Sequence, residues 1–98
     1  MLRQDIASAI SIRLPSALRR YSDGSGQICL TAATVEEALD QLLQLHPGLA
    51  GMICDERGQL RRHVNIFRGH DEIRTLQGLA TLLLPGMTLT VLPAVSGG

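Results

Sequence analysis

At 98 residues the chain holds one domain with one core, and its 45% hydrophobic against 18% charged residues exclude a disordered segment. Nine basic and nine acidic residues leave a formal net charge of zero, so no basic surface for nucleic acid or an anionic membrane is implied. No window nears the roughly eighteen apolar residues of a membrane span. Asp5 also breaks the apolar run a signal peptide needs, so a cytoplasmic location is expected.

The first element in chain order is a strand over Ile6 to Leu14, where Ile6, Ser8, Ile10, Ile12 and Leu14 alternate with Ala7, Ala9, Ser11 and Arg13. Pro15 ends it. A polar turn at Asp23-Gly24-Ser25-Gly26 leads to a second strand, Gln27 to Thr31, with Ile28 and Leu30 inward, Cys29 outward and an antiparallel hairpin expected. Thr34 then opens a helix: its hydroxyl can cap free amides, Glu37 stands at the capping-box position, and Val35, Leu39, Leu42 and Leu43 form the apolar stripe. His46-Pro47-Gly48 stops it, with His46 beside the last carbonyls.

Leu49 to Asp55 reads as a short helical turn, and Gln59 to Arg62 links it to a strand over His63 to Arg68. There Val64 and Ile66 alternate with Asn65 and Phe67. Gly69-His70-Asp71 turns, Glu72-Ile73-Arg74 is expected as a brief edge strand, and Leu76 to Leu84 connects to the Pro85-Gly86 turn. Thr88 to Leu92 is the last strand, with Leu89 and Val91 on one face and Thr90 and Leu92 on the other. Pro93 brings no amide donor, so sheet pairing is expected to stop there.

Motifs for bound groups are lacking. His46, His63 and His70 have no metal spacing, and Gly24-Ser25-Gly26 lacks the following helix of a phosphate loop, so no metal or other bound cofactor is expected. Cys29 and Cys54 lack C-x-x-C spacing and are expected as free thiols used in packing.

The chemistry points instead to Gly97-Gly98. Two residues without Cβ can thread a channel closed to other dipeptides. A terminal carboxylate, with a pKa of roughly 3.3–3.7, is ionised at neutral pH and a poor electrophile, so acyl chemistry at Gly98 needs activation by another protein. The chain would then be a substrate and not an enzyme. All nine basic residues are arginine, so no side-chain amine competes for an activated terminus; arginine-rich codon usage explains the same absence.

The order β-β-α-β-β, the segments Arg62-His63-Val64-Asn65-Ile66-Phe67 and Gly86-Met87-Thr88-Leu89-Thr90-Val91-Leu92-Pro93, and the ending Ala94-Val95-Ser96-Gly97-Gly98 resemble the MoaD/ThiS family of sulfur carriers. The Leu-Pro-Ala-Val-Ser-Gly-Gly end is most similar to the CysO-type branch. The resemblance implies an α+β fold of the ubiquitin-like β-grasp type, a mixed sheet packed on one main helix, over residues 1–93 with a tail over 94–98. It further implies that Gly98, preceded by Gly97, is adenylated by a ubiquitin-activating-type enzyme that uses ATP. Sulfide or a persulfide then displaces AMP to leave a thiocarboxylate for the biosynthesis of cysteine or another sulfur-containing metabolite.

Its implied partners are that adenylating enzyme, a sulfur donor and a downstream sulfur-accepting synthase, with a JAMM-type metalloprotease as a further candidate. A protein modifier conjugated through Gly98, and a small subunit of a molybdopterin-synthase-like complex, are the alternatives. The five tail residues extend about 17 Å at roughly 3.3–3.6 Å each. Phe67 and Leu92 are expected on the sheet face away from the helix, forming with Val95 and Ser96 an apolar partner surface steered little by charge.

Overall fold

The computed structural model describes residues 9–93, and the expected strand residues Ile6 to Ser8 and the tail residues Val95, Ser96, Gly97 and Gly98 lie outside them. Five strands form one mixed sheet: β1 (Ala9–Arg13), β2 (Gln27–Thr31), β3 (Val64–Arg68), β4 (Asp71–Glu72) and β5 (Thr88–Pro93), in the order β2-β1-β5-β3-β4. β1 and β2 pair antiparallel with Ser11 opposite Cys29 and Ile12 opposite Ile28. β5 runs parallel to β1 and antiparallel to β3, so the last strand lies at the centre.

The alternation predicted from sequence sorts the side chains as expected. Ile10, Ile12, Ile28, Leu30, Val64, Ile66, Leu89 and Val91 are all buried on one face. Helix α1 (Val35–Leu45) covers that face with Val35, Ala38, Leu39 and Leu42, while Leu43 is half-buried at its border. Each large aliphatic side chain buried this way contributes roughly 1.5–3 kcal/mol.

The helix starts where the capping residues place it. Thr34 Oγ1 accepts from Glu37 N at 3.2 Å, and the Glu37 carboxylate reaches one residue further back than a capping box requires, accepting from Ala33 N at 2.9 Å. Val35 N donates to the carbonyl of the buried Thr81 at 3.0 Å, so a residue far along the chain satisfies another first-turn amide. At the other end His46 is the C-cap, its N–H donating to Leu42 O at 2.9 Å. The helical turn expected over 49–55 is a 3-10 turn at Pro47–Leu49 followed by α2 (Ala50–Ile53).

Three details differ from the sequence expectations. Residues Ser16–Ser22 form a 3-10 helix that the sequence pattern did not announce. Leu18 is its one fully apolar buried side chain, and the other inward residues, the buried Ser22 and the half-buried Tyr21, carry hydroxyls, so the apolar pattern shows no periodicity. The edge strand is Asp71–Glu72, shorter and earlier than Glu72-Ile73-Arg74, because the chain turns into a 3-10 helix at Ile73–Thr75. Glu72 drives that turn: its carboxylate accepts from Arg74 N at 3.1 Å, its carbonyl accepts from Thr75 Oγ1 at 2.7 Å, and Ile73 is fully buried. Finally, β5 includes Pro93, which stands opposite Val64. Val64 N donates to Arg61 O at 3.0 Å instead, so the pair asks no donor of the proline.

The Pro85-Gly86 turn is present, with Gly86 at φ +86° in the left-handed region that favours glycine. Its N–H donates to Ala9 O at 2.8 Å and thereby fixes the entry of β5 beside β1.

Candidate functional site

Residues excluded from the core by the strand alternation form the open face of the sheet. One row crosses it from Gln27 through Arg13, Thr90 and Phe67 to Glu72, each residue opposite the next. A second row, one step closer to the tail, pairs Leu92 with Asn65. Leu92 is 43% exposed, whereas its neighbour Val91 is fully buried, so a single peptide step separates core from surface. Phe67 is half-buried on the open face, next to the fully buried Ile66. Both predicted residues therefore lie where the sequence placed them, on the two strands nearest the chain's exit at Pro93. The partners expected for them in the tail, Val95 and Ser96, and the terminal Gly97 and Gly98, where the reactive carboxylate is expected, lie outside the described residues.

Phe67 is framed by an arginine that sequence reasoning missed. The Arg74 guanidinium donates to Asn65 Oδ1 at 3.2 Å, to Glu72 Oε2 at 3.3 Å and to Arg61 O at 2.9 Å. Asn65 precedes Phe67 by two on the same strand face, and Glu72 stands opposite it, so Arg74 ties the two polar neighbours of the ring together. At 38% and 19% side-chain exposure the Arg74–Glu72 pair contributes modestly to stability, and its effect is positional. A Glu-x-Arg spacing just after a strand was the available signal, but it does not reveal Asn65 as the third member. Arg13, exposed in the same row, adds a cation that takes part in no salt bridge among the described residues.

The cysteines divide between the two sides of the molecule. Both are free thiols, as expected, but Cys29 does not serve packing: it is exposed on the open face, its Sγ 3.8 Å from Ser11 Oγ. Its strand position points away from the core, with the polar Ser11 directly opposite. Cys54, half-buried just after α2, lines a cleft beside α1. Burial pushes its pKa up, the carboxylates of Asp55 and Asp40 push the same way, and Arg61 opposes them. Such a thiol stays protonated at neutral pH and reacts only slowly.

Charge is also less even than a net of zero implies. Glu36, Glu37, Asp40, Asp55 and Glu56 fall within residues 32–56, where no arginine occurs, and all nine arginines lie elsewhere. The expectation of weak steering overlooked this, because a sum over the chain hides the separation of its parts.

A mixed five-stranded sheet with its final strand central and one main helix across it is the β-grasp arrangement of ubiquitin-like proteins, an α+β fold. The model of the ThiS family matches residues 12–98, and the chain belongs to that family of ubiquitin-like sulfur carriers. It is 30% identical over 91 residues to the sulfur carrier protein CysO of Mycobacterium tuberculosis, covering 91% of this chain and 98% of the relative. It is 38% identical over 66 residues to small archaeal modifier protein 3 of Haloferax volcanii, covering 67% of this chain and 71% of the relative. Among solved structures, a chain of the BexX/CysO complex of Amycolatopsis orientalis superposes with a TM-score of 0.83 at 31% identity, covering 91% of this chain and 99% of that one. By their names these relatives are sulfur carrier or small modifier proteins. Among the described residues no helix is long and apolar enough to cross a membrane.

Proposed function

We propose that Gly98 is the sulfur-bearing residue of this carrier. The observation that supports this best is the likeness to CysO over 91 residues, joined to a central β5 that leads directly toward residues 94–98. In the proposed sequence a ubiquitin-activating-type enzyme binds the carrier and ATP, and a Gly98 carboxylate oxygen attacks the α-phosphorus with release of pyrophosphate. Sulfide, or a persulfide followed by reductive cleavage with a thiol, attacks the acyl carbon, and AMP leaves with the former carboxylate oxygen. The product is a thiocarboxylate, a soft nucleophile that is ionised at neutral pH.

That sulfur is then delivered to a synthase making cysteine or another sulfur-containing metabolite, and a JAMM-type metalloprotease is a further partner where the product remains attached to the carrier. The open face supplies docking: Phe67 and Leu92, with Val95 and Ser96, contact the adenylating enzyme while Gly97 and Gly98 enter its active site. Likeness to a small archaeal modifier favours conjugation through Gly98 as the second reading.

Intact mass distinguishes the two. Incubate the chain and a Gly98 deletion with activating enzyme, ATP and a sulfur source. The full chain exchanges one oxygen for sulfur and the deletion stays unchanged; sulfur on the deletion overturns the proposal, and a full chain bound covalently to a protein target supports the modifier reading.

A further inference from the structure

Opposite the open face, α1 and the segment from α2 to Arg61 enclose a cleft of about 440 Å³. This volume is in the range of sites that seat one or two large side chains. Leu39, Leu43, Ala50, Cys54 and Leu79 supply apolar lining, and Glu36 and Asp40 of α1 face Asp55 and Glu56 across it. Among the described residues Glu36, Asp40 and Glu56 form no salt bridge, whereas the Asp55 carboxylate is held by Arg57 N and Gln59 N, both at 2.9 Å. Arg61 is the cleft's one cation, and its Nε is already committed to Gly51 O at 2.8 Å.

We infer that this cleft is a second docking site, and that its occupant is a segment of a protein partner in which arginine or lysine flanks one or two apolar residues. The two halves of the lining ask for the two halves of that segment. An aliphatic side chain fits the leucine-lined part, and a long cationic side chain lays its stem on the same surface while its head meets Glu36 and Asp40. Charge complementarity selects this occupant over an acidic one: the carboxylates of Glu36, Asp40, Asp55 and Glu56 line the cleft against the single guanidinium of Arg61. An anionic segment would bring like charge against the rim.

Placement of the cleft leaves the open face free. The carrier can hold a second protein by its helix side while its sheet and tail engage another, and this does not rest on the chemistry proposed for Gly98.

The probe is the peptide acetyl-Arg-Leu-Leu-Arg-amide, with acetyl-Glu-Leu-Leu-Glu-amide as its charge-reversed control, titrated into isotopically labelled full chain. The basic peptide should shift the amides of Leu39, Asp40, Leu43, Gly51 and Cys54, and added salt should weaken it. The double variant Glu36→Gln, Asp40→Asn, both at exposed positions, should weaken binding by about fivefold to tenfold with an unchanged thermal midpoint. Saturating peptide should also slow alkylation of Cys54 while leaving Cys29, on the other face, unprotected. Absence of binding, equal binding of the acidic peptide, unchanged affinity in the double variant, or shifts centred on Arg13, Phe67 and Leu92 would each overturn the inference. So would shifts at the cleft that appear with protein concentration alone, which would make the occupant a second copy.

Discussion

The two sides of this small domain treat charge and apolar surface differently. On the open face of the sheet, arginines accompany the apolar residues: Arg13 shares a row with Phe67, and Arg74 holds Asn65 and Glu72 beside it. On the helix side carboxylates do so, with Glu36, Asp40, Asp55 and Glu56 around a leucine-lined cleft. A chain of zero net charge is thus a dipolar object. The carboxylates gather on the helix side, and each side can be altered without touching the other.

The largest effect should come from the layer that both sides share. Ile66→Ala removes a fully buried side chain between the sheet and α1, and is expected to cost about 2–5 kcal/mol, read as a lowered urea midpoint. Phe67→Ala, one residue along, should behave in reverse. The ring is half-buried on the open face, so the variant should lose less stability than Ile66→Ala but bind the adenylating enzyme about thirtyfold more weakly, equivalent to about 2 kcal/mol. Calorimetric titration decides it, and unchanged affinity in a folded variant would move the proposed interface elsewhere.

On the helix side, Thr34→Ala deletes the cap on Glu37 N and should cost about 1 kcal/mol of stability with no change in adenylating-enzyme binding. A coupled loss of both would break the independence of the two faces. The smallest effect is pH-dependent and belongs to Cys54. Its folded-state pKa is raised above the ordinary 9.0, so at alkaline pH the unfolded chain releases this proton first and stability falls as pH rises. The thiol's contribution is complete below pH 9.0 and is lost as pH climbs through the raised value. Denaturant midpoints of the wild type and Cys54→Ser should therefore diverge only above about pH 9, the wild type falling more steeply.

Strands and helix were legible because their causes are local. Alternation at Val64, Asn65, Ile66 and Phe67 sets which side chains enter the core, and Thr34 with Glu37 sets the helix start, all within a few residues of backbone. The family, and with it Gly98 as the proposed reactive residue, was legible for the same reason, since the segments that carry the resemblance are contiguous. Other features were not local. That β5 inserts between β1 and β3, that Thr81 caps a helix starting at Val35, and that Arg74 reaches back to Asn65 and Arg61 all depend on pairings between distant residues. The acidic cleft required folding for a further reason. Glu36 and Asp40 become neighbours of Asp55 and Glu56 only when α1 and the segment after α2 pack together, and electrostatic potential depends on distance through space, which the order of residues along the chain does not specify.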